Sequence, residues 1–133
     1  MKKTIYSEAG ELRHEVYYDD ENGVARIVHY DLIYADDARE FLKILEVLYT
    51  DKSPKLLLDD SSRVSAAKMD KETRQIFMGA GEKLGIDKVA VFGADPMTRM
   101  MSKIIFTIAG KIDSTKYFKT EDEALKWLKG EAS

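Results

Sequence analysis

The sequence predicts one α/β domain over residues 1–133, with a mixed sheet of about five strands packed with four helices in the order ββαβαβαβα. Three observations predict it: an opening hairpin of two alternating runs, two short continuous apolar runs of the kind that form covered central strands, and amphipathic stretches of helical period. Strands separated by helices require right-handed crossovers and run mainly parallel, while the hairpin adds an antiparallel part. A chain of 133 residues, 44% hydrophobic and 34% charged, supports one core.

The elements follow in order. Arg13 to Asp19 alternates with His14, Val16 and Tyr18 on one face, and Val24 to Tyr30 alternates again after Asp20-Glu21-Asn22-Gly23. Asn-Gly at the tip of two such runs is a hairpin signal, because both residues tolerate positive φ. From Asp36 or Asp37, Phe41, Leu42, Leu45, Leu48 and Tyr49 recur at helical spacing, with Asp37 and Glu40 as a capping pair. Lys52-Ser53-Pro54 ends that helix, and Lys55-Leu56-Leu57-Leu58-Asp59 is the third strand, central in the sheet. A polar segment from Asp60 to Met69 leads to a helix from about Asp70, whose stripe is Thr73, Ile76, Phe77, Ala80 and Leu84 and whose C-cap is Gly85. Lys88-Val89-Ala90-Val91-Phe92-Gly93 is the fourth strand, and Asp95-Pro96 opens a third helix with the stripe Met97, Met100, Met101, Ile104, Ile105 and Ile108, closed by Gly110. Lys116-Tyr117-Phe118 is the last strand, and Thr120 to Glu123 has a capping-box pattern before Ala124, Leu125, Trp127 and Leu128 of the fourth helix.

Composition narrows the chemistry. The net charge of −3 arises from 24 acids and 21 bases that are interleaved, so no basic stripe exists to neutralise nucleic-acid phosphates. No stretch approaches the roughly 20 apolar residues of a spanning helix, and Met1-Lys2-Lys3-Thr4-Ile5 is no signal peptide, so a cytoplasmic, non-membrane protein is expected. Without cysteine there are no disulfides, thiolate nucleophiles or cysteine-based metal sites.

His14 and His29 share the apolar phase, and a loop at positions 20–23 would set them opposite each other, where two imidazoles could hold a metal. By simple phase no carboxylate joins them on that face, so the pair reads as half-buried histidines and no metal or cofactor is expected. Gly79-Ala80-Gly81-Glu82-Lys83-Leu84-Gly85 precedes a strand instead of following one, the wrong context for a dinucleotide fingerprint; its glycines read as close packing and then helix termination. Asp19-Asp20 and Asp36-Asp37 fall where a turn and a helix begin. Asp59 and Asp60 differ, because they stand at the carboxyl end of a central strand, where open α/β sheets bind ligands, and are followed by Ser61, Ser62, Arg63 and Ser65. A serine nucleophile there would need a base, and no histidine belongs to a neighbouring loop. The loop Gly93-Ala94-Asp95-Pro96 exposes helix amides, with Arg99 one turn inside, and could hold an anion together with Arg63 unless Asp95 already occupies those amides.

The hairpin followed by αβαβα resembles the STAS domain. Lys55-Leu56-Leu57-Leu58-Asp59, Lys88-Val89-Ala90-Val91-Phe92-Gly93, and Tyr117-Phe118 through Glu123-Ala124-Leu125-Lys126-Trp127-Leu128 look like the SpoIIAA-like family, which is related in fold to CRAL-TRIO lipid-binding domains. The resemblance runs from about Leu12 onward and rests mainly on structural motifs. Anti-sigma-factor antagonists of this fold carry Asp-Ser-Ser-Gly at the start of the helix after the third strand, with a phosphorylated serine; the matching start here reads Asp70-Lys71-Glu72-Thr73. Ser61, Ser62 and Ser65 lie earlier in that loop, where a phosphate would face Asp59 and Asp60.

The expected function is therefore a non-catalytic binding or regulatory module of the SpoIIAA-like type. A protein partner or anionic small ligand would be met at the loops after the third and fourth strands by Asp59, Asp60, Ser61, Ser62, Arg63 and Arg99. The alternative, implied by the CRAL-TRIO relationship, is a carrier of a lipid-like ligand in a cavity lined by Phe77, Met97, Met100 and Met101. Either reading allows a homodimer through an exposed sheet edge.

Overall fold

The computed structural model describes residues 2–6, 10–64, 69–97, 99–100 and 114–130. Alternation in the first part of the chain builds the antiparallel half of the sheet. β2 (Leu12–Asp19) and β3 (Val24–His29) are joined by the expected turn, in which Gly23 takes a φ of 69° and its N–H donates to the Asp19 carbonyl at 2.8 Å. The Asp19 carboxylate closes the turn by accepting from the Asn22 backbone and side-chain amides. The loop length fixes the register His14↔His29, as the sequence predicts.

An additional strand, β1 (Lys2–Tyr6), pairs antiparallel with β2, so the sheet has six strands where about five were expected. Thr4, Ile5 and Tyr6 are strand formers, and the lysines that precede them suit an edge position. The apolar runs supply the parallel half: β4 (Leu56–Asp60) and β5 (Lys88–Phe92), followed by β6 (Thr115–Phe118). The spatial order is β1-β2-β3-β4-β5-β6, with the β3–β4, β4–β5 and β5–β6 pairs parallel.

Three helices are complete among the described residues: α1 (Ala35–Leu48), α2 (Lys71–Leu84) and α3 (Glu121–Leu128). Pro96 opens a further helical turn, in which Arg99 N–H donates to the Asp95 carbonyl at 3.0 Å; the expected continuation to Gly110 lies outside the described residues. α1 begins earlier than its periodicity suggests. Tyr34 is the N-cap, and Asp37 is the third helical residue, accepting from the Tyr34 N–H at 2.8 Å, so Asp37 and Glu40 are not the capping pair. Asp70 caps α2 by accepting from Thr73 N–H and hydroxyl, and Gly85 ends it at φ 69°. At Gly79 a Cβ would meet nothing within 4 Å, so close packing does not explain that glycine.

The two faces of the sheet are covered differently. α1 and α2 lie over Val16, Ala25, Ile27 and Leu57, with Phe41, Ile44, Leu45 and Leu48 pointing into that core. Among the described residues, the other face is covered by α3, where Ala124 and Leu128 meet Leu56, Leu58 and Ala90. Met97 and Met100, on the apolar stripe of the expected third helix, are each 59% exposed. No helix among the described residues is long and apolar enough to cross a membrane.

Candidate functional site

Parallel pairing of β4 with β5, Asp60 beside Phe92, delivers the two following loops to one rim. Ser61 N–H donates to the Phe92 carbonyl at 3.1 Å, and Gly93 N–H to the Phe118 carbonyl at 3.1 Å. Gly93 has a φ of 76°, and a Cβ there would fall 2.6 Å from Ser62 Cβ. The loops thus touch, and glycine is required where they do.

Within the rim, Asp60 organises its neighbours. Its carboxylate accepts from Ser62 N–H at 3.0 Å, Ser62 Oγ at 2.6 Å and Arg63 Nη1 at 3.0 Å, while the Arg63 guanidinium lies 5.1 Å from the centre of the Tyr30 ring. Three of the six expected residues, Asp60, Ser62 and Arg63, are brought together in this way, while Asp59 and Ser61 bond to each other on the other face. Arg99 makes no hydrogen bond or ion pair to them among the described residues; its Nε is buried without a partner there. Ser65 and Met101 lie outside the described residues.

Asp59 faces the opposite way from Asp60. Strand alternation turns it toward α1, on the same side as Ala25, Ile27 and His29, because β3 and β4 pair Ile27 with Asp59. Its Oδ2 lies 2.9 Å from His29 Nε2 and its Oδ1 accepts from Ser61 Oγ at 2.6 Å. His29 Nδ1 in turn lies 3.1 Å from His14 Nδ1, and both rings pack against Phe41. His14 Nε2 points to Asp37 Oδ2 at 3.4 Å, and Asp37 accepts two bonds from Arg13, at 3.1 and 2.6 Å. Arg13 also donates to the Leu32 carbonyl at 2.9 Å. The histidines are 0% and 1% exposed, so they are fully buried instead of half-buried, and they do have carboxylates on their face.

Burial shifts these groups in ways their partners oppose or reinforce. For His14, burial first and the facing His29 second drive the imidazole down from 6.5 to about 4, against the pull of Asp37. For Asp59, burial alone would raise the carboxyl, but His29 by charge and hydrogen bond, with Ser61, holds it below its ordinary value. Chemically, the order Ser61–Asp59–His29 places a carboxylate between hydroxyl and imidazole, so no imidazole is bonded to the hydroxyl as a general base. Among the described residues no group of three or more His, Asp or Glu is arranged to hold a metal.

Beside α3, on the same face of the sheet, is a cleft of about 200 Å³, lined in part by Tyr17, Arg26, Tyr30, Asp60, Arg63 and Glu121. Arg26 is bonded there to Asp19, at 2.9 Å, and to Glu121. Tyr30 donates its hydroxyl to Glu15 at 2.5 Å. The cleft shares Asp60 and Arg63 with the rim. Phe77 packs on Phe41 in the core, away from the exposed Met97 and Met100.

Sequence reasoning misses Asp37, Arg13, Arg26 and Glu121 as members of these clusters. Phase along β4 does carry a signal: Asp59 is two residues from the buried Leu57 and must share its face. Residues 33–131 match the model of a family described as a domain of unknown function, DUF7793. No curated protein matches the chain.

Proposed function

We propose, from the premise that the chain belongs to the DUF7793 family, that it is a non-catalytic binding or regulatory module of the SpoIIAA-like, STAS-like type. Its working surface is the rim after β4 and β5, where it receives a protein partner or an anionic small ligand. The observation that carries this reading is the contact of Gly93 with Ser62, which holds two strand-end loops as one surface. Such carboxyl-end crevices are where open α/β sheets receive ligands. Of the two occupants, a protein partner is favoured: Arg63 is already paired with Asp60, so an incoming anion would have to displace a carboxylate. The non-catalytic reading is supported by Ser61, whose hydroxyl is bonded to the Asp59 carboxylate and not to an imidazole.

A two-armed experiment tests it. Proteins captured from cell lysate by the wild type are quantified against Arg63→Glu and against Glu46→Lys on the exposed side of α1, and inorganic phosphate is titrated while backbone amides are observed. The expected result is a partner lost about tenfold or more with Arg63→Glu and kept with Glu46→Lys, or phosphate shifts confined to Ser61–Arg63 and Gly93. Capture and phosphate responses that are both indifferent to the rim overturn the proposal.

A further inference from the structure

A line of side chains crosses the sheet beneath α1, from the half-buried Asp59 through the buried His29 and His14 to the buried Asp37. Its three links are Asp59 Oδ2 to His29 Nε2 at 2.9 Å, His29 Nδ1 to His14 Nδ1 at 3.1 Å, and His14 Nε2 to Asp37 Oδ2 at 3.4 Å. Each link joins two atoms that both carry lone pairs when unprotonated, so each is attractive only with a proton in it. Two neutral imidazoles bring two protons. Placed in the two shorter links, they leave His14 Nε2 as a bare lone pair, buried, without a hydrogen bond, and facing a carboxylate. A polar atom in that state is costly.

The charge balance points the same way. Arg13 from β2 is the one cation bonded into the cluster among the described residues, against the carboxylates of Asp37 from α1 and Asp59 from β4. With both imidazoles neutral the enclosed group is one negative charge in excess, and the exposed Asp31, 3.5 Å from Arg13, adds a further carboxylate. Uncompensated charge in a buried position is strongly unfavourable. The remaining neighbours bring no countercharge: α1 contributes Phe41, the loop after β4 contributes the Ser61 hydroxyl, and among the described residues no hydrogen bond or ion pair joins α2 to the pair.

We propose that the His14–His29 pair holds a third proton in the folded protein, so that one imidazolium charge shared by the two rings ties the first turn of α1 to the carboxyl end of β4. With that proton, His29 donates to Asp59 and to His14, and His14 donates to Asp37; all four ring nitrogens are satisfied and the cluster is neutral. A second imidazolium charge on the pair is disfavoured, in keeping with His14 resisting protonation down to about 4. Because Ser61, bonded to Asp59, begins the rim loop, loss of the third proton at higher pH would loosen the rim. The tie is a pH-sensitive latch beneath the rim, present whether or not the rim is occupied.

Histidine ring nitrogens of the full chain, observed by NMR through their two-bond proton correlations, test this directly. At pH 7 both Nε2 atoms are expected to be protonated, with one bare nitrogen among the four, averaged over the two Nδ1 positions. On raising the pH, His14 Nε2 is expected to lose its proton while the amides of Ser61 and Gly93 shift with the same midpoint and that of Lys129, beyond α3, stays still. A bare His14 Nε2 at pH 7 overturns the proposal, and rim amides that ignore the titration overturn the latch. Asp59→Asn removes one negative charge, and its amide can donate to or accept from His29 Nε2; the two rings together should then carry two protons at pH 7, and retention of a third overturns the charge balance. Should that variant fail to fold, the wild-type spectrum still decides.

Discussion

One sheet carries two polar clusters, and its two faces treat them in opposite ways. Under α1, His14, His29 and Asp37 are buried, with Arg13 and Asp59 15% and 17% exposed at the two ends, so the charges find their counterparts inside the protein. On the other face Arg26, Asp19 and Glu121 stand beside an open cleft, with Glu121 44% exposed, and water shares the load. The alternation of β2 and β3 sends His14 to one face and Glu15 to the other, Ile27 to one and Arg26 to the other. Among the described residues, the cluster under α1 is therefore structural, and the Arg26–Glu121 pair at the cleft is the more adjustable.

The sharpest way to break this contrast is Asp37→Ala. It leaves Arg13 without its two carboxylate bonds and the Tyr34 N–H without its acceptor, at a site 4% exposed. Removing one partner of a buried pair costs about 3–5 kcal/mol, so the midpoint of urea unfolding should fall steeply. A loss under about 1 kcal/mol would mean that water reaches the sealed side as freely as the open one.

The sealed cluster is also where the sequence is least legible, while the strands themselves are easily read. The Asn22-Gly23 turn and the phase of His14 and His29 foretell their facing register, and the apolar runs Leu56–Leu58 and Val89–Phe92 foretell adjacent parallel strands. That Ser62 and Gly93 meet follows from that adjacency. What stays hidden is which strand neighbours the hairpin. Asp59 reaches His29 only because β4 pairs with β3 in one particular register, and Asp37 reaches His14 only because α1 starts at Ala35 and lies back across β2. Both are tertiary facts with no local spacing. The edge strand β1 escapes for another reason: at five residues beginning with two lysines it shows too few alternations to stand out.

Acid separates the faces next. His14 is 6.5 in the unfolded chain and about 4 in the fold, so between those values the unfolded state binds the proton and the native state does not. Stability must then fall as pH falls through that window, at roughly 1.4 kcal/mol per unit, approaching a loss of about 3 kcal/mol at its acid end. The stretch from 6.5 to 5 is diagnostic, because ordinary carboxylates begin to protonate only below it. Urea midpoints should descend from pH 6 to pH 5; a flat step would show that His14 accepts its proton without penalty and that the sealed face is not sealed to charge.

At the rim, where the two faces meet, glycine substitutions compare a crowded position with an open one. Gly93→Ala must adopt a φ of 76° and also drive its Cβ into Ser62, whereas Gly130→Ala, at the same φ, meets nothing within 4 Å. The left-handed conformation alone costs about 1–2 kcal/mol, and the overlap should make Gly93→Ala at least about 1 kcal/mol worse than Gly130→Ala. Equal losses at the two sites would mean that the loops separate without resistance.

The smallest effect belongs to the open face. Glu121→Ala removes one of the two carboxylates bonded to Arg26, but Asp19 remains at 2.9 Å and solvent can replace the other. Exposed ion pairs contribute about 0–1 kcal/mol, and the Debye length contracts to about 3 Å in 1 M salt, so the loss should be under about 1 kcal/mol at low salt and should shrink further at high salt. The same salt step applied to Asp37→Ala should change little, because that pair is screened by protein and not by ions. A Glu121→Ala penalty as large as that of Asp37→Ala, and insensitive to salt, would show that α3 seals its face as α1 does.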